Sequence, residues 1–435
     1  MTPNIILLIM FGGLTALMAT GLPIAFVLGG FSLLLTVTLW NPESVVILVL
    51  QIFDTMKSEA LLGVPLYILM ASILQRSGVI EDLYKVMELW FGRLRGGLAI
   101  GTVFICVVMS FMTGVVGAAV TAMGVLALPE MLRRKYDPAV ATGTICAAGT
   151  LGILIPPSVL TIVYAVTAQV SIGKMLIAGI MPGLLLATIY TIYILCLAYF
   201  GKGKIPPSEQ DAVPLRVKLA SLKAVIIPAL LIVVVLGSIF FGVATPTEAA
   251  AVGVVGAVLA SAIRGQLRTQ NLVTAGHTTL RITAMVMWIT IGAKAYVAIF
   301  TGLGGATTLL NFINGLDVHP YVILAAMMLI LIFLGTVLDE IGIILLTVPV
   351  FLPIVRALGF DEIWFGVLYA ITIQIGYISP PFGYTLFYMK GAMPSHLSMG
   401  TVYRGITPYL GLQILALLIC AAFPSFVTWL PRMMN

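Results

Sequence analysis

Two proline pairs stand at matching places in the chain. Pro156-Pro157 lies in Gly152-Ile-Leu-Ile-Pro-Pro-Ser158, and Pro380-Pro381 lies in Gly376-Tyr-Ile-Ser379-Pro-Pro-Phe-Gly383, 224 positions later. Proline donates no backbone hydrogen bond and clashes with the preceding turn, so two in succession break a helix. In lipid, each polar backbone group freed by a break costs on the order of several kcal/mol, so a break persists only where it is buried in protein or lines a wet cavity. A broken helix presents carbonyls at one end, which suit Na⁺ or a proton carrier. At the other end it presents N–H groups, which suit a carboxylate. The candidate substrate-binding residues are therefore Pro156, Pro157 and Ser158 at the first break, and Ser379, Pro380, Pro381 and Gly383 at the second. Thr150, Gly152, Gln374, Gly376 and Thr385 flank them. A single pair reads as a packing kink, whereas two in register read as a site.

A second constellation follows the same spacing. Ser110-Phe-Met-Thr113-Gly114-Val-Val-Gly117 has as its counterpart Leu334-Gly335-Thr336-Val-Leu-Asp339-Glu340. Glycine and hydroxyl residues within an apolar run let a helix unwind and offer oxygen to a hard cation. Close helix packing accounts for glycine alone. Asp339 and Glu340 are harder to explain that way, because an ionisable residue inside an apolar run is by default functional. The competing reading is a helix end near water. Lys294 stands in the apolar run 289–300, where it either attracts an organic anion or snorkels to an interface, the latter being favoured. Glu248, in Ala244-Thr-Pro-Thr-Glu-Ala249, fits the first turn of a capped helix.

These groups need elements to hold them. The 435 residues are 61% hydrophobic and 9% charged, with a mean hydropathy of +1.15, against about 25% charged in soluble proteins. The chain reads as an all-α polytopic membrane protein; its long continuous apolar runs exclude a β-barrel. The net charge of +6 belongs to cytoplasmic loops, and no nucleic-acid partner is indicated. Cys106, Cys146, Cys196 and Cys420 are isolated, which argues against disulfides and zinc. The Met-Thr-Pro-Asn start lacks a basic signal-peptide region, so the first apolar run reads as a retained helix.

The 224-residue shift also pairs Pro129 with Pro353 and Asp137 with Asp361. Basic clusters at Arg93 and Arg95, and at Arg133, Arg134 and Lys135, fall on stretches depleted of lysine and arginine in the other half. The halves therefore read as inverted-topology repeats: 1–200, a cytoplasmic linker at 201–223, and 224–435, with both termini periplasmic. Within the first half, 46–78 is expected as a hairpin or re-entrant segment. Residues 81–92 form an amphipathic helix, 98–132 cross twice with a bend near Gly114 and Gly117, and 138–168 make one crossing broken at the prolines.

Several longer segments resemble the large membrane subunit of tripartite ATP-independent periplasmic (TRAP) transporters over essentially the whole chain. They are GLPIAFVLGG from Gly21, ALPEMLRRKYDPAVATG from Ala127, GTLGILIPPS from Gly149, ATPTEAAAVG from Ala244, FLGTVLDEIGIILLTVPVFLPI from Phe333 and IGYISPPFG from Ile375. The resemblance implies a Na⁺-coupled importer of organic acids in the bacterial inner membrane. It also implies an elevator-type fold, a small four-helix membrane subunit and a periplasmic substrate-binding protein as partners. Carried over by position, Ser58, Ser110, Thr113, Gly114, Gly335, Thr336 and Asp339 would lie near Na⁺. No cofactor is implied beyond that coupling ion. One departure is that Val115 and Val116 stand where many members carry serines, which makes the region more apolar. The alternative is a stand-alone organic-anion transporter driven by Na⁺ or H⁺. Enzyme chemistry is not supported: His277, His319 and His396 form no zinc motif, no catalytic residues are indicated, and no serine–histidine pair shares an obvious depth.

Overall fold

Apolar runs of this length can satisfy their own backbone only as helices. The computed structural model describes residues 3–201, 203–207, 213–315 and 318–434, and every regular element among them is helical. The first half contributes α1 (Pro3–Ala19), α2 (Ile24–Leu35, continued by a π-helical turn over Thr36–Trp40), α3 (Val45–Met56), α4 (Glu59–Gln75) and α5 (Val79–Phe91). It continues with α6 (Gly97–Thr113), α7 (Val116–Arg133), α8 (Pro138–Gly149), a 3₁₀ turn over Thr150–Ile153, α9 (Val159–Ala168), α10 (Ile172–Ala178) and α11 (Ile180–Phe200). The expected linker, part of which lies outside the described residues, carries α12 (Leu215–Ser221). The second half contributes α13 (Lys223–Phe240), α14 (Pro246–Ile263), α15 (Thr269–Gly302), α16 (Gly305–Asn314) and α17 (Pro320–Val337). It ends with α18 (Glu340–Ala357), α19 (Glu362–Ile378), α20 (Tyr384–Ala392), α21 (Met399–Ala422) and α22 (Pro424–Arg432). Among the described residues eight helices are long and apolar enough to cross a membrane, or nine if the α4–α5 pair, bent by 60°, counts as one span. The chain is a multi-pass helical membrane protein.

The motifs that repeat in the sequence do the same structural work in each half. Shifted by 224, α7 falls on α18 residue for residue. Pro129 lies inside α7, and Pro353 inside α18. Asp137 caps α8 by accepting the Ala139 N–H at 2.7 Å, and Asp361 caps α19 by accepting the Trp364 N–H at 2.8 Å. Each cap satisfies an N–H that the helix itself leaves unpaired. Thr245 and Glu248 form a reciprocal capping box at the start of α14, the structural role expected of Glu248.

Contacts between the halves are reciprocal. Helix α4 runs beside and parallel to α14: Gly63 adjoins Thr247, Gly253 adjoins Met70, and Arg264 reaches the Gly78 carbonyl and the Asp82 carboxylate. Helix α2 runs in the same way beside the second half of α15, with Gly292 against Ala25 and Gly29, and Gly302 against Trp40. These four helices pack together as one group, called the scaffold below. A second body joins α6–α9 to α17–α21, where the hydroxyls of Thr144 and Tyr409 meet at 2.7 Å and Gly143 adjoins Gly405.

Residues 46–78 are expected as a hairpin or re-entrant segment, and the hairpin alternative needs correction. Helices α3 and α4 are separate and α3 packs on α15 rather than back on α4, while the 60° bend between α4 and α5 is that of a broken span or re-entrant loop. Between α3 and α15 the Lys294 ammonium meets the Asp54 carboxylate at 2.5 Å. In the second half the corresponding stretch is one unbroken helix of 34 residues, about 51 Å at 1.5 Å per residue. Residues 98–132 form two successive apolar helices, α6 and α7, joined at Gly114 and Val115, where the bend is expected. Arg134, just past α7, pairs with Glu88 of α5 at 2.6 Å, so the segment returns to where it began. Its tip at Gly114 ends against the middle of the broken α8–α9 segment.

Candidate functional site

At the first break the chain leaves the 3₁₀ turn, passes through a cis Pro156–Pro157 bond and re-enters a helix at α9. Ser158 stitches the two sides together. Its hydroxyl donates to the Ile153 carbonyl at 2.5 Å and accepts the Thr161 N–H at 3.4 Å. Pro156, Pro157 and Ser158 are all buried. The tip of the α6–α7 hairpin closes over them. Gly114 has φ +58°, and a Cβ there would lie 1.8 Å from the Pro157 carbonyl oxygen, so only glycine fits. On the same tip the Ser110 hydroxyl donates to the Cys106 carbonyl at 2.6 Å, and that of Thr113 to the Met109 carbonyl at 2.9 Å. A hydroxyl that has given its proton to a carbonyl keeps its lone pairs, so both remain able to coordinate a hard cation.

The second break repeats the plan with a different outcome. Helix α19 ends at Ile378, and Ser379 donates to the Ile375 carbonyl at 2.6 Å. The chain passes a cis Pro380–Pro381 bond and restarts at α20 behind Gly383, where no side chain caps the helix. Thr385 donates to the Tyr377 carbonyl at 2.8 Å. The α17–α18 hairpin supplies the facing tip: a Cβ on Gly376 would lie 2.8 Å from the Gly335 Cα. The Glu340 N–H donates to the Tyr377 hydroxyl at 2.7 Å. Thr336 donates to the Phe333 carbonyl at 2.7 Å. Asp339 caps α18 by accepting the Gly342 N–H at 3.2 Å, so at least part of its charge is spent on its own helix. Pro380 and Pro381 are exposed, in contrast to Pro156 and Pro157.

Each broken helix is thus matched to the hairpin tip of its own half. The two halves meet where α20 leans on α7: Gly117 lies against the Tyr388 ring, and Gly124 against Ala392. Ser58 is not brought to either tip. It stands at the half-buried start of α4, beside Glu59, whose carbonyl accepts the Thr247 hydroxyl at 3.4 Å. The first tip instead shares a cavity with Gln75, Ile80 and Glu81, beyond the far end of α4, about 25 Å away along a 17-residue helix.

Sequence reasoning missed three features. Lys294 pairs with the exposed Asp54 carboxylate of α3. Gln413 donates to the Thr150 hydroxyl at 3.1 Å and to the Tyr190 hydroxyl at 2.9 Å, a buried network across more than two hundred positions. The rings of Phe382, Tyr384, Phe387 and Tyr388 line a cavity at the second tip; their clustering within seven residues was the available signal. Gln374, noted only as a flank, is fully buried with neither amide atom hydrogen-bonded among the described residues.

Twin breaks, twin glycine tips and reciprocal scaffold helices describe a carrier architecture, and sequence comparison supplies its lineage. Residues 11–426 match the sequence model of the tripartite ATP-independent periplasmic transporter, DctM component. The chain belongs to this family of TRAP transporter large subunits. Among relatives of this DctM component, the C4-dicarboxylate TRAP transporter large permease protein DctM of Pseudomonas aeruginosa is 34% identical, with 93% of each chain covered. The sialic acid TRAP transporter large permease protein SiaM of Vibrio cholerae is 30% identical, with 97% of each covered. The Alcanivorax borkumensis YdaH transporter matches in fold, with a TM-score of 0.64 at 16% identity, over 93% of this chain and 97% of that one. Membership makes the chain the membrane subunit of a secondary carrier.

Proposed function

We propose that this DctM component is the translocation subunit of a Na⁺-coupled importer of organic acids in the bacterial inner membrane. It works with a small membrane subunit and a periplasmic binding protein, and it moves substrate by an elevator displacement of the two-tip body along the scaffold. The halves lie inverted, with the basic loops around Arg93, Arg133 and Arg264 on the cytoplasmic side and both termini periplasmic. Substrate carboxylate and Na⁺ are carried between the tips and the broken helices.

One observation carries this reading. If the moving body stood symmetrically, corresponding residues of the two tips would meet corresponding points of the scaffold. They do not. A Cβ on Gly342, in the second hairpin, would meet Ile24 at 2.8 Å, at the start of α2. Their counterparts 224 positions earlier and later are Ala118 and Glu248. Yet Ala118 lines a cavity with Gln75, Ile80 and Glu81, level with Arg264 at the opposite end of α14 from Glu248. The offset from 248 to 264 amounts to about 24 Å of helix. Two inverted halves that differ by such an offset support a body displaced toward the cytoplasmic side. The mirror placement would bring the first tip to the level of Thr247 and Ser58.

Uptake of labelled organic acids into proteoliposomes tests the reading, with and without an inward Na⁺ gradient and with a binding protein present or omitted. Dependence on both is the expected outcome. Uptake by the chain without a binding protein, or driven by protons, would replace it with the stand-alone carrier.

A further inference from the structure

Two cavities adjoin at the bend between α4 and α5. One, of about 420 Å³, lies beside the first tip and is lined by Gly117, Ala118 and Thr121 of α7 together with Gln75, Ile80 and Glu81. The other, of about 610 Å³, is lined by Arg76, Asp82, Arg264 and Gln266, and again by Gln75 and Glu81. Together they reach from the first tip to the basic loop after α14. A purely apolar groove would be filled by lipid. A carboxylate and an amide at the point that both cavities share demand water instead.

This polar lining is set by the sequence and not imposed by the repeat. The inverted counterparts of Gln75, Arg76 and Glu81 are Ile299, Phe300 and Gly305. Ile299 and Phe300 are buried, and a Cβ on Gly305 would lie 2.5 Å from the Phe300 ring, so packing fills the equivalent place in the second half. In the first half Arg264 is engaged by Asp82 and the Gly78 carbonyl. Glu81 and Arg76 line the space with no ion-pair partner among the described residues. Arg76 donates to the Ser72 carbonyl at 3.0 Å. The space therefore offers one uncompensated charge of each sign: Glu81 where the cavities join, and Arg76 in the outer one.

Resting on the importer reading above, we propose that the two cavities are one aqueous passage by which the carried anion and its coupling cation leave the first tip for the cytoplasm. Gln75 and Glu81 form its neck. Glu81 attracts the cation, and Arg76 at the mouth attracts the anion. Arg76 also follows the last turn of α4, where a cation offsets the helix dipole, so its test needs a readout of charge rather than of stability.

The test places a single thiol, Thr121→Cys, inside the passage of the full chain in a Cys196→Ser background. The protein is reconstituted in proteoliposomes of known orientation without Na⁺ or substrate. It is then labelled with two membrane-impermeant methanethiosulfonates of similar size, one sulfonated and one carrying a quaternary ammonium. Labelling from the cytoplasmic face is expected to be about tenfold or more faster than from the periplasmic face. Arg76→Gln is expected to lower the ratio of anionic to cationic labelling rates by about threefold, and Glu81→Gln to raise it by about threefold. Arg76→Lys should restore the ratio. A change in width or stability alters both rates together and leaves their ratio fixed. Equal labelling from both faces, or faster labelling from the periplasmic face, would overturn the passage. A ratio that neither neutralisation moves would overturn the roles of Glu81 and Arg76. Either failure leaves Na⁺-dependent uptake, and with it the importer reading, to stand on its own assay.

Discussion

Gly114 concentrates the demands of the site in one residue. Its backbone is left-handed, and a Cβ would fall 1.8 Å from the Pro157 carbonyl oxygen. Gly21 is also left-handed, at φ +81°, but nothing lies within 4 Å of its would-be Cβ. Gly21→Ala should therefore cost only the conformational penalty, about 1–2 kcal/mol. Gly114→Ala should add displacement of the hairpin tip from the broken helix. The expected result is near-normal uptake for the first variant and loss of uptake with a markedly lower unfolding midpoint for the second; equal effects would remove the tip–loop contact from the argument. Gln413 poses a different case. Leucine there strips hydrogen bonds from the buried Thr150 and Tyr190 hydroxyls, and a loss of about 1–3 kcal/mol is expected in thermal or denaturant unfolding. The glycine was visible in the sequence because its type is informative beside hydroxyl residues in an apolar run, although its repeat mate, Leu338, is not a glycine. The Gln413 network was not, because it joins positions that only tertiary packing brings together.

Helices were legible where a local physical cause marked them. The Asp137 and Asp361 caps, the Thr245–Glu248 box and the proline breaks each act within a few residues, so the sequence carries them openly. Asp137→Ala and Asp361→Ala should each lower stability by about 1 kcal/mol. The double variant should show nearly the sum, because the two caps sit on different helices with no shared partner; strong coupling in that cycle would contradict the independence of the two helix starts. What the sequence hid was the packing of α3 on α15, where Asp54 pairs with Lys294 across 240 positions. The unequal burial of the two proline loops was hidden too. That inequality refines the expected effect of removing the prolines. Pro380→Ala with Pro381→Ala changes an exposed loop and should abolish uptake while the chain still unfolds cooperatively. Pro156→Ala with Pro157→Ala changes a fully buried one, so it should also lower the unfolding midpoint. Undiminished uptake in both double variants would mean that the breaks do not form the site.

For the whole molecule, the proposed elevator displacement of inverted halves predicts the opposite state from the offset between the two tips. In the present arrangement Gly342 adjoins Ile24, while their counterparts Ala118 and Glu248 are separated by most of the length of α14. Exchanging the placements of the two inverted halves brings Ala118 to Glu248 and parts Gly342 from Ile24. Cysteine pairs at these positions therefore report opposite states. Three native cysteines are buried and Cys196 is exposed, so a Cys196→Ser background leaves few accessible thiols. In that background Ile24→Cys with Gly342→Cys should cross-link readily with a short bifunctional reagent and block uptake until cleaved. Ala118→Cys with Glu248→Cys should cross-link as well, through a conformation distinct from the one described here. Its yield should change when Na⁺ and substrate are added, since a ligand shifts such an equilibrium only through unequal affinity for the two states. A displacement of about 24 Å is too large for side-chain fluctuation to imitate. If only the 24–342 pair ever forms, in any combination of Na⁺ and acid, the moving body is fixed to the scaffold, and the tips would then have to exchange substrate by local opening instead.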